Sequence, residues 1–282
     1  MQPYRHLHSK SLKRLSLIIL VLLVVVSWFV SWPYLHEPMD QLMASLNTVN
    51  IPQRKKSLIF VTTHLSETHY TFFEKCWPSL LAKGDIYRQS DFLVLITLSE
   101  GTEPNWEFLN ATFANTNYTA QVVKNPGYHQ GAVLALTKGY LNNWFDDYEW
   151  VIRVNPDVLI RNDSFLFERM DDAKIQGVFA DCFNRDCPTG NHCSSAKIHT
   201  DFFAIRPEAV SLQDVMEANK AKIHAELMAT QAFSGIVNAG TDSWVPGAGP
   251  HNGNCRIRGE ASPVIHTNVI RNVYPACLSW YD

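Results

Sequence analysis

The chain has no surplus of basic residues: 24 Lys and Arg stand against 27 Asp and Glu, for a net charge of −3. That balance leaves no electrostatic footprint for nucleic acid, which is not expected as a partner. There is no internal repeat and no low-complexity segment, so a solenoid or a long solvated tail is not expected either. The Gly-rich run from Pro246 to Gly253 lacks the lysine of a P-loop and does not join a strand to a helix, which argues against a nucleoside-triphosphate site. No charge falls between Leu15 and Trp32, and only Ser16, Ser27 and Ser31 interrupt that apolar run. No cysteine precedes Cys76.

The uncharged run is the first positive feature. It spans roughly 27 Å as a helix, close to the thinner bilayers of the early secretory pathway. Arg5, Lys10, Lys13 and Arg14 precede it, while Glu37 and Asp40 follow. The positive-inside rule then puts residues 1–14 in the cytosol, 15–32 in the membrane as a signal anchor, and the rest in the lumen. A cleavable signal peptide is the competing reading; Val25-Val26-Ser27 is a poor cleavage site and the run continues apolar beyond it.

All six cysteines (Cys76, Cys182, Cys187, Cys193, Cys255 and Cys277) lie beyond the anchor. In an oxidising lumen they read as up to three disulfides, with connectivity open. The group Cys182, Cys187, His192 and Cys193 has no common zinc-finger spacing, and disulfides are favoured over zinc there. The sequons at Asn110, Asn117 and Asn162 agree with lumenal exposure.

Residues 33–56 are polar and without apolar period, a stem. Residues 57–282 suffice for one large α/β domain. Leu58–Thr62 and Phe92–Leu98 are continuous apolar strands of the kind buried in parallel sheets. A helix is expected over Thr68–Leu81, a short one over Asn105–Thr112, a third strand over Ala120–Val123 and a helix over Gln130–Leu141. Glu149–Val154 is the next strand, stopped by Pro156 and followed by Asp157. Further on, His199–Ile205 reads as a strand and Leu212–Phe233 as a helix with a break. Gly235–Gly253 reads as a long loop, either a lid over a ligand or plain surface. Strands alternating with helices predict a parallel sheet with right-handed crossovers.

Asn155-Pro156-Asp157 holds oxygen ligands at the carboxyl edge of that sheet, where open α/β folds bind ligands; the alternative is an ordinary turn. The order of elements resembles glycosyltransferases of the GT-A fold, commonly type II Golgi enzymes. The resemblance rests on three stretches: Gly131–Leu136 leading into Trp150–Arg153 and the acidic turn, Asp201–Pro207, and His266. It implies a GT-A-like (Rossmann-like), mostly parallel sheet flanked by helices, preceded by one transmembrane helix. It also implies transfer of a sugar from a nucleotide diphosphate donor to a glycan or glycoprotein acceptor, in the Golgi or endoplasmic reticulum. In such enzymes an Asp-x-Asp motif holds a divalent cation against the donor. Here Asn155 stands in the first position, where the resemblance implies a bond to the donor ribose hydroxyls or an outer-shell water, and Asp157 in the second, as the direct ligand. The implied metal ligands are Asp157 and His266, with Mn²⁺ or Mg²⁺ as the ion and the histidine nitrogen favouring Mn²⁺.

His129, Gln130 and Gly131, at a helix amino terminus, are expected to contact the donor phosphates or else to form a simple cap. Arg153 either pairs with the acidic site or points out of the sheet. An inverting transferase needs a carboxylate base, for which Glu226 and Asp242 are placed better than Asp201 and Glu260; either acid is otherwise a solvated side chain. Trp244 is a candidate to stack on a sugar. The amide at Asn155 also admits another reading, a catalytically inactive membrane-anchored carbohydrate-binding or scaffolding protein. A hydrolase using paired acids is the third.

Overall fold

The computed structural model describes residues 55–127, 130–181, 198–221, 225–246, 248–251, 254–257, 262–267 and 270–281. In chain order β1 (Lys55–Thr63) leads to α1 (Glu67–Lys75), α2 (Trp77–Lys83), α3 (Asp85–Arg88) and β2 (Asp91–Leu98). Then come α4 (Trp106–Thr112), β3 (Tyr118–Lys124), α5 (Gly131–Leu141), β4 (Tyr148–Val154), β5 (Val158–Ile160) and α6 (Asp163–Asp171). β6 (Gly177–Asp181) and β7 (Ile198–Ile205) precede α7 (Leu212–Ala221), α8 (Ala225–Ala232) and α9 (Ser234–Asn238). The chain continues through β8 (Asp242–Trp244), β9 (Ala248–His251), β10 (Asn254–Ile257), β11 (Val264–His266) and α10 (Tyr274–Cys277).

The central sheet has seven strands in the order β3-β2-β1-β4-β7-β6-β8. β3, β2, β1 and β4 run parallel, and β7 lies antiparallel to both β4 and β6. The parallel strands follow the sequence expectation: Leu58 to Val61 and Phe92 to Ile96 are buried on both faces. The sheet is mostly parallel, as expected; β7 is its antiparallel member, and its reversed direction has a consequence for the site below.

One face of the sheet is covered by an aromatic layer in which Phe72, Phe73, Trp77, Tyr87, Phe92, Phe113 and Trp150 are fully or almost fully buried. The disulfide Cys76–Cys277 ties α1's end to α10 across a sequence separation of 201. The other face is covered by α5, α7 and α8 through smaller side chains such as Ala135, Ala218, Ala229 and Met228. Gly139 of α5 sits against the ring of Phe145; a Cβ there would meet ring carbon at 2.0 Å.

Three expectations need correction. The single helix over 68–81 is two helices meeting at Cys76, because Pro78 has no N–H to continue the ladder of α1. The long loop over 235–253 instead contains α9, the strand β8 on the far edge of the sheet, and the hairpin of β9 with β10. β1 starts at Lys55, inside the stretch read as stem, because Lys55 pairs with Tyr148 of β4. Residues 15–32, read as the anchor, lie outside the described residues; among the described residues no helix is long and apolar enough to cross a membrane. Cys182, Cys187, His192 and Cys193 also lie outside them.

Candidate functional site

β1 and β4 end side by side, so Thr62, Thr63 and the Asn155-Pro156-Asp157 turn share one edge of the sheet. The turn is pinned from three directions. Val158 N donates to Asn155 O at 2.9 Å, Trp77 Nε1 to Pro156 O at 2.9 Å, and Thr267 N to Asp157 O at 3.2 Å. With its backbone held, Asp157 has its side chain fixed in a buried position, 6% exposed.

Two strand pairings then bring distant residues to it. β5 pairs antiparallel with β11 with Val158 opposite His266, which sets the imidazole Nε2 3.4 Å from Asp157 Oδ2. β4 pairs antiparallel with β7, and Asn155 N donates to Asp201 O at 3.2 Å. Asp201 Oδ2 therefore lies 3.7 Å from the same His266 nitrogen. A third residue arrives from α1: His69 Nδ1 bonds Thr63 Oγ1 at 2.8 Å and points Nε2 at Asp157 Oδ1, 3.9 Å away. Behind His266, His199 Nε2 is 3.0 Å from its Nδ1, and Asp201 N donates to His199 Nδ1 at 3.1 Å.

A polar chain runs beneath these groups. Arg153 Nη2 donates to Thr62 Oγ1 at 2.6 Å and to Asn155 Oδ1 at 2.9 Å, and Thr62 Oγ1 donates to Asn155 Oδ1 at 2.8 Å. Asn155 Nδ2 donates onward to Asp201 Oδ1 at 2.7 Å. Arg153 Nη1 lies 3.6 Å from that oxygen, so the buried guanidinium does pair with the acidic site.

The electrostatics follow from burial and proximity. Burial pushes the His69 imidazole down to about 4, against the pull of Asp157 and Asp201, so His69 is neutral at neutral pH. Burial alone would raise the Asp201 carboxyl; His266, His199, Arg153 and His69 outweigh it and hold that carboxyl below the usual range. Burial pushes Arg153 down to about 10, countered by Asp201, Asp157 and Glu226, and it stays charged. Asp157 Oδ1 and Arg153 Nε accept or donate no hydrogen bond among the described residues. A buried carboxylate oxygen without a donor costs about 1–3 kcal/mol or more, which is tolerated where a ligand supplies the missing partner.

The chemistry of this donor set fits a divalent cation. His199, Asp201 and His266 each offer a ligand atom within 4.8 Å of the others, and Asp157 Oδ2 borders His266. Carboxylate oxygens with imidazole nitrogen suit Mn²⁺ and its neighbours better than Mg²⁺.

Of the residues nominated from sequence, Asn155, Asp157 and His266 come together. Gln130 and Gly131 stand at the amino terminus of α5, which starts beyond β3 at this same edge, and neither hydrogen-bonds the cluster among the described residues. Open space surrounds Gly131 where a Cβ would project. His129 lies outside the described residues. Glu226 is buried on α8, where Thr200 Oγ1 donates to its Oε1 at 3.3 Å. Asp242 is not brought to the cluster. It pairs level with Gly177 and thus with Ile205, about 13 Å along the strand and about 10 Å across it from Asp201. Its carboxylate accepts from Trp244 Nε1, so the two form a local pair on the edge strand. His69 and His199 were not nominated. His199 and Asp201, two apart on a strand, had a visible same-face spacing; His69 on its helix had none.

No family model matches the chain, and no curated protein matches it. Among solved structures it is similar to the galactosyltransferase LgtC in complex with donor and acceptor sugar analogs: 12% identity over 67% of this chain and 73% of that one, TM-score 0.43. It is similar to core-mannan synthase A of Aspergillus fumigatus in its Mn/GDP form (11% identity, 70% and 74% covered, TM-score 0.44). Mouse xyloside xylosyltransferase 1, apo form, is a third (11%, 67% and 84%, TM-score 0.42). All three are glycosyltransferases, the class the sequence resembles. At such identities and TM-scores the likeness carries no functional weight; the side chains at the sheet edge do.

Proposed function

We propose that the chain is a glycosyltransferase that moves a sugar from a nucleotide diphosphate donor to a glycan or glycoprotein acceptor, assisted by a divalent cation. The observation that carries this reading is the buried, unpartnered Oδ1 of Asp157, with its other oxygen 3.4 Å from His266 Nε2, at the carboxyl edge of the parallel strands. A cation bound there would neutralise the donor phosphates as the glycosidic bond breaks. Asp157 and His266 hold the ion's position, while Arg153 offsets the charge of Asp201 from below. The backbone amides at the start of α5, with Gly131 leaving them open, suit the donor phosphates. Glu226 is the nominated base nearer the site, and its bond to Thr200 gives it a structural alternative.

The chain is further read as a type II protein of the Golgi or endoplasmic reticulum, anchored by residues 15–32. The basic flank before that run supports it, and so does the disulfide Cys76–Cys277, a bond that persists in oxidising compartments. Removal of glycans from Asn110 or Asn117, seen as a gel shift on the cellular protein, tests the lumenal orientation.

Titration with UDP- and GDP-sugars, with and without Mn²⁺, tests the activity reading. Binding that requires metal and is lost in Asp157→Ala supports it. Free glycan binding without any donor binding, with or without metal, sinks it and supports the inactive carbohydrate-binding reading.

A further inference from the structure

The resemblance leads one to expect a carboxylate at position 155, and the bonds around Asn155 explain the amide. Its Nδ2 donates to Asp201 Oδ1 at 2.7 Å, while its Oδ1 accepts from Thr62 at 2.8 Å and Arg153 at 2.9 Å. Position 155 must donate on one side and accept on the other, and an ionised carboxylate only accepts. The donated bond fixes one oxygen of Asp201 and leaves Oδ2 aimed at His266 Nε2, 3.7 Å away. Asp157 Oδ2 approaches the same nitrogen at 3.4 Å. Both separations exceed an N–H···O hydrogen bond of about 2.7–3.2 Å. Each pair taken alone matches neighbouring ligands around one ion with bonds of about 2.1 Å, which sit about 3.4 Å apart at tetrahedral angles. The groups that lie mutually within 4.8 Å are Asp201, His266 and His199, with Asp157 bordering them through His266. Asp157, 6% exposed, contributes an Oδ1 that no donor meets among the described residues.

We propose that Asp201, from the antiparallel strand β7, is the second carboxylate ligand of a cation shared with Asp157 and His266, and that Asn155 is the positioning residue that aims it. The carboxylate absent from the turn is supplied from across the sheet. Ion binding at His266 Nε2 would put the imidazole proton on Nδ1, where it donates to His199 Nε2, 3.0 Å away, as metal-bound histidines donate to an outer partner. His199 Nδ1 then keeps its own proton and gives up the bond from Asp201 N. The inference rests on the transferase reading for the ion's purpose, and on ion binding alone for its ligands. An imidazole with two carboxylates selects Mn²⁺ or Zn²⁺ over Mg²⁺.

The test is a titration of the full-length protein with Mn²⁺ alone, following the electron paramagnetic resonance signal of the free ion, with circular dichroism to establish folding. The wild type is expected to bind saturably. Asp201→Asn is expected to weaken binding by about tenfold or more, the scale of a lost ligand or ligand support. Asn155→Asp, which rebuilds a two-carboxylate turn, is expected to weaken it as well, since it removes Asp201's donor and sets like charges side by side. Tighter binding in Asn155→Asp, unchanged binding in Asp201→Asn, or no saturable binding by the wild type each overturns the proposal. Binding of a UDP- or GDP-sugar, measured in parallel, separates the two readings. The expected Mn²⁺ pattern without donor binding keeps the ligand set and removes the transferase; metal-dependent donor binding indifferent to Asp201→Asn does the reverse.

Discussion

Asp157 and Asp163 are both buried aspartates, six positions apart and each following the end of a strand, yet they are treated in opposite ways. Asp163 opens α6 with every visible oxygen in use: Ile86 N donates to Oδ2 at 3.1 Å, and Tyr281 hydroxyl donates to Oδ1 at 2.9 Å. Asp157 has one oxygen with no donor and another facing imidazole at a distance too long for a hydrogen bond. Asp163 knits α3, α6 and the carboxyl terminus together. Asp157 is held just as firmly by its backbone while its carboxylate is kept waiting. A fold that satisfies one acid completely has the means to satisfy its neighbour, and the difference marks the unsatisfied one as the binding group.

The comparison breaks most visibly on removing each carboxylate. Asp157→Ala is expected to lose metal-dependent donor binding by about a hundredfold or more, the scale of a lost ligand with its support. Its thermal stability should change little, because the buried oxygen that no donor meets leaves with the side chain and offsets the lost attraction to His69, His266 and Arg153. Asp163→Ala should do the opposite. Ile86 N–H loses its acceptor, while the Tyr281 hydroxyl keeps the Ile160 carbonyl at 2.7 Å, at a cost of about 1–3 kcal/mol in a urea melt. Donor binding by the folded fraction should persist. An Asp157→Ala protein that melts earlier than Asp163→Ala reverses the assignment.

A milder probe concerns Glu226, buried and bonded to Thr200. Glu226→Gln keeps an acceptor for that hydroxyl, so a structural role predicts a loss of about 1 kcal/mol in stability and little change in transfer. Loss of a general base would instead cut turnover by about 10²–10⁴. Steady-state rates on the purified variant separate the two.

How much of this was legible in the sequence depends on distance along the chain. Asp157 could be read because its signals are adjacent: an apolar strand, a proline that ends it, an acid. The buried strands and the α5 segment announced themselves through composition. Asp201 and His69 could not be read as partners of Asp157, since strand reversal and helix docking bring them there, and neither leaves a local pattern. β7 could be recognised as a strand, but its direction is set by the return path of the chain. The Cys76–Cys277 bond joins residues 201 apart, beyond any spacing rule. Pro78 is a local signal: lacking an N–H, it divides the helix expected over 68–81 at Cys76.

Asp163 also supplies the smallest test, because it separates satisfaction from charge. Burial raises its carboxyl above the ordinary value, with the bonds from Ile86 and Tyr281 acting against that shift. An acid with a raised folded pKa binds more protons folded than unfolded. Stability therefore falls as pH rises from the unfolded carboxylate value through the folded one. Asp163→Asn removes that slope and keeps an acceptor for Ile86, while its amide can donate to the tyrosine oxygen, whose hydroxyl turns away. The expected cost is about 1 kcal/mol at neutral pH, with a flatter profile through the acidic window in urea melts at stepped pH. An undiminished slope in Asp163→Asn would mean that another carboxylate carries it, and the contrast would then rest on hydrogen bonds alone.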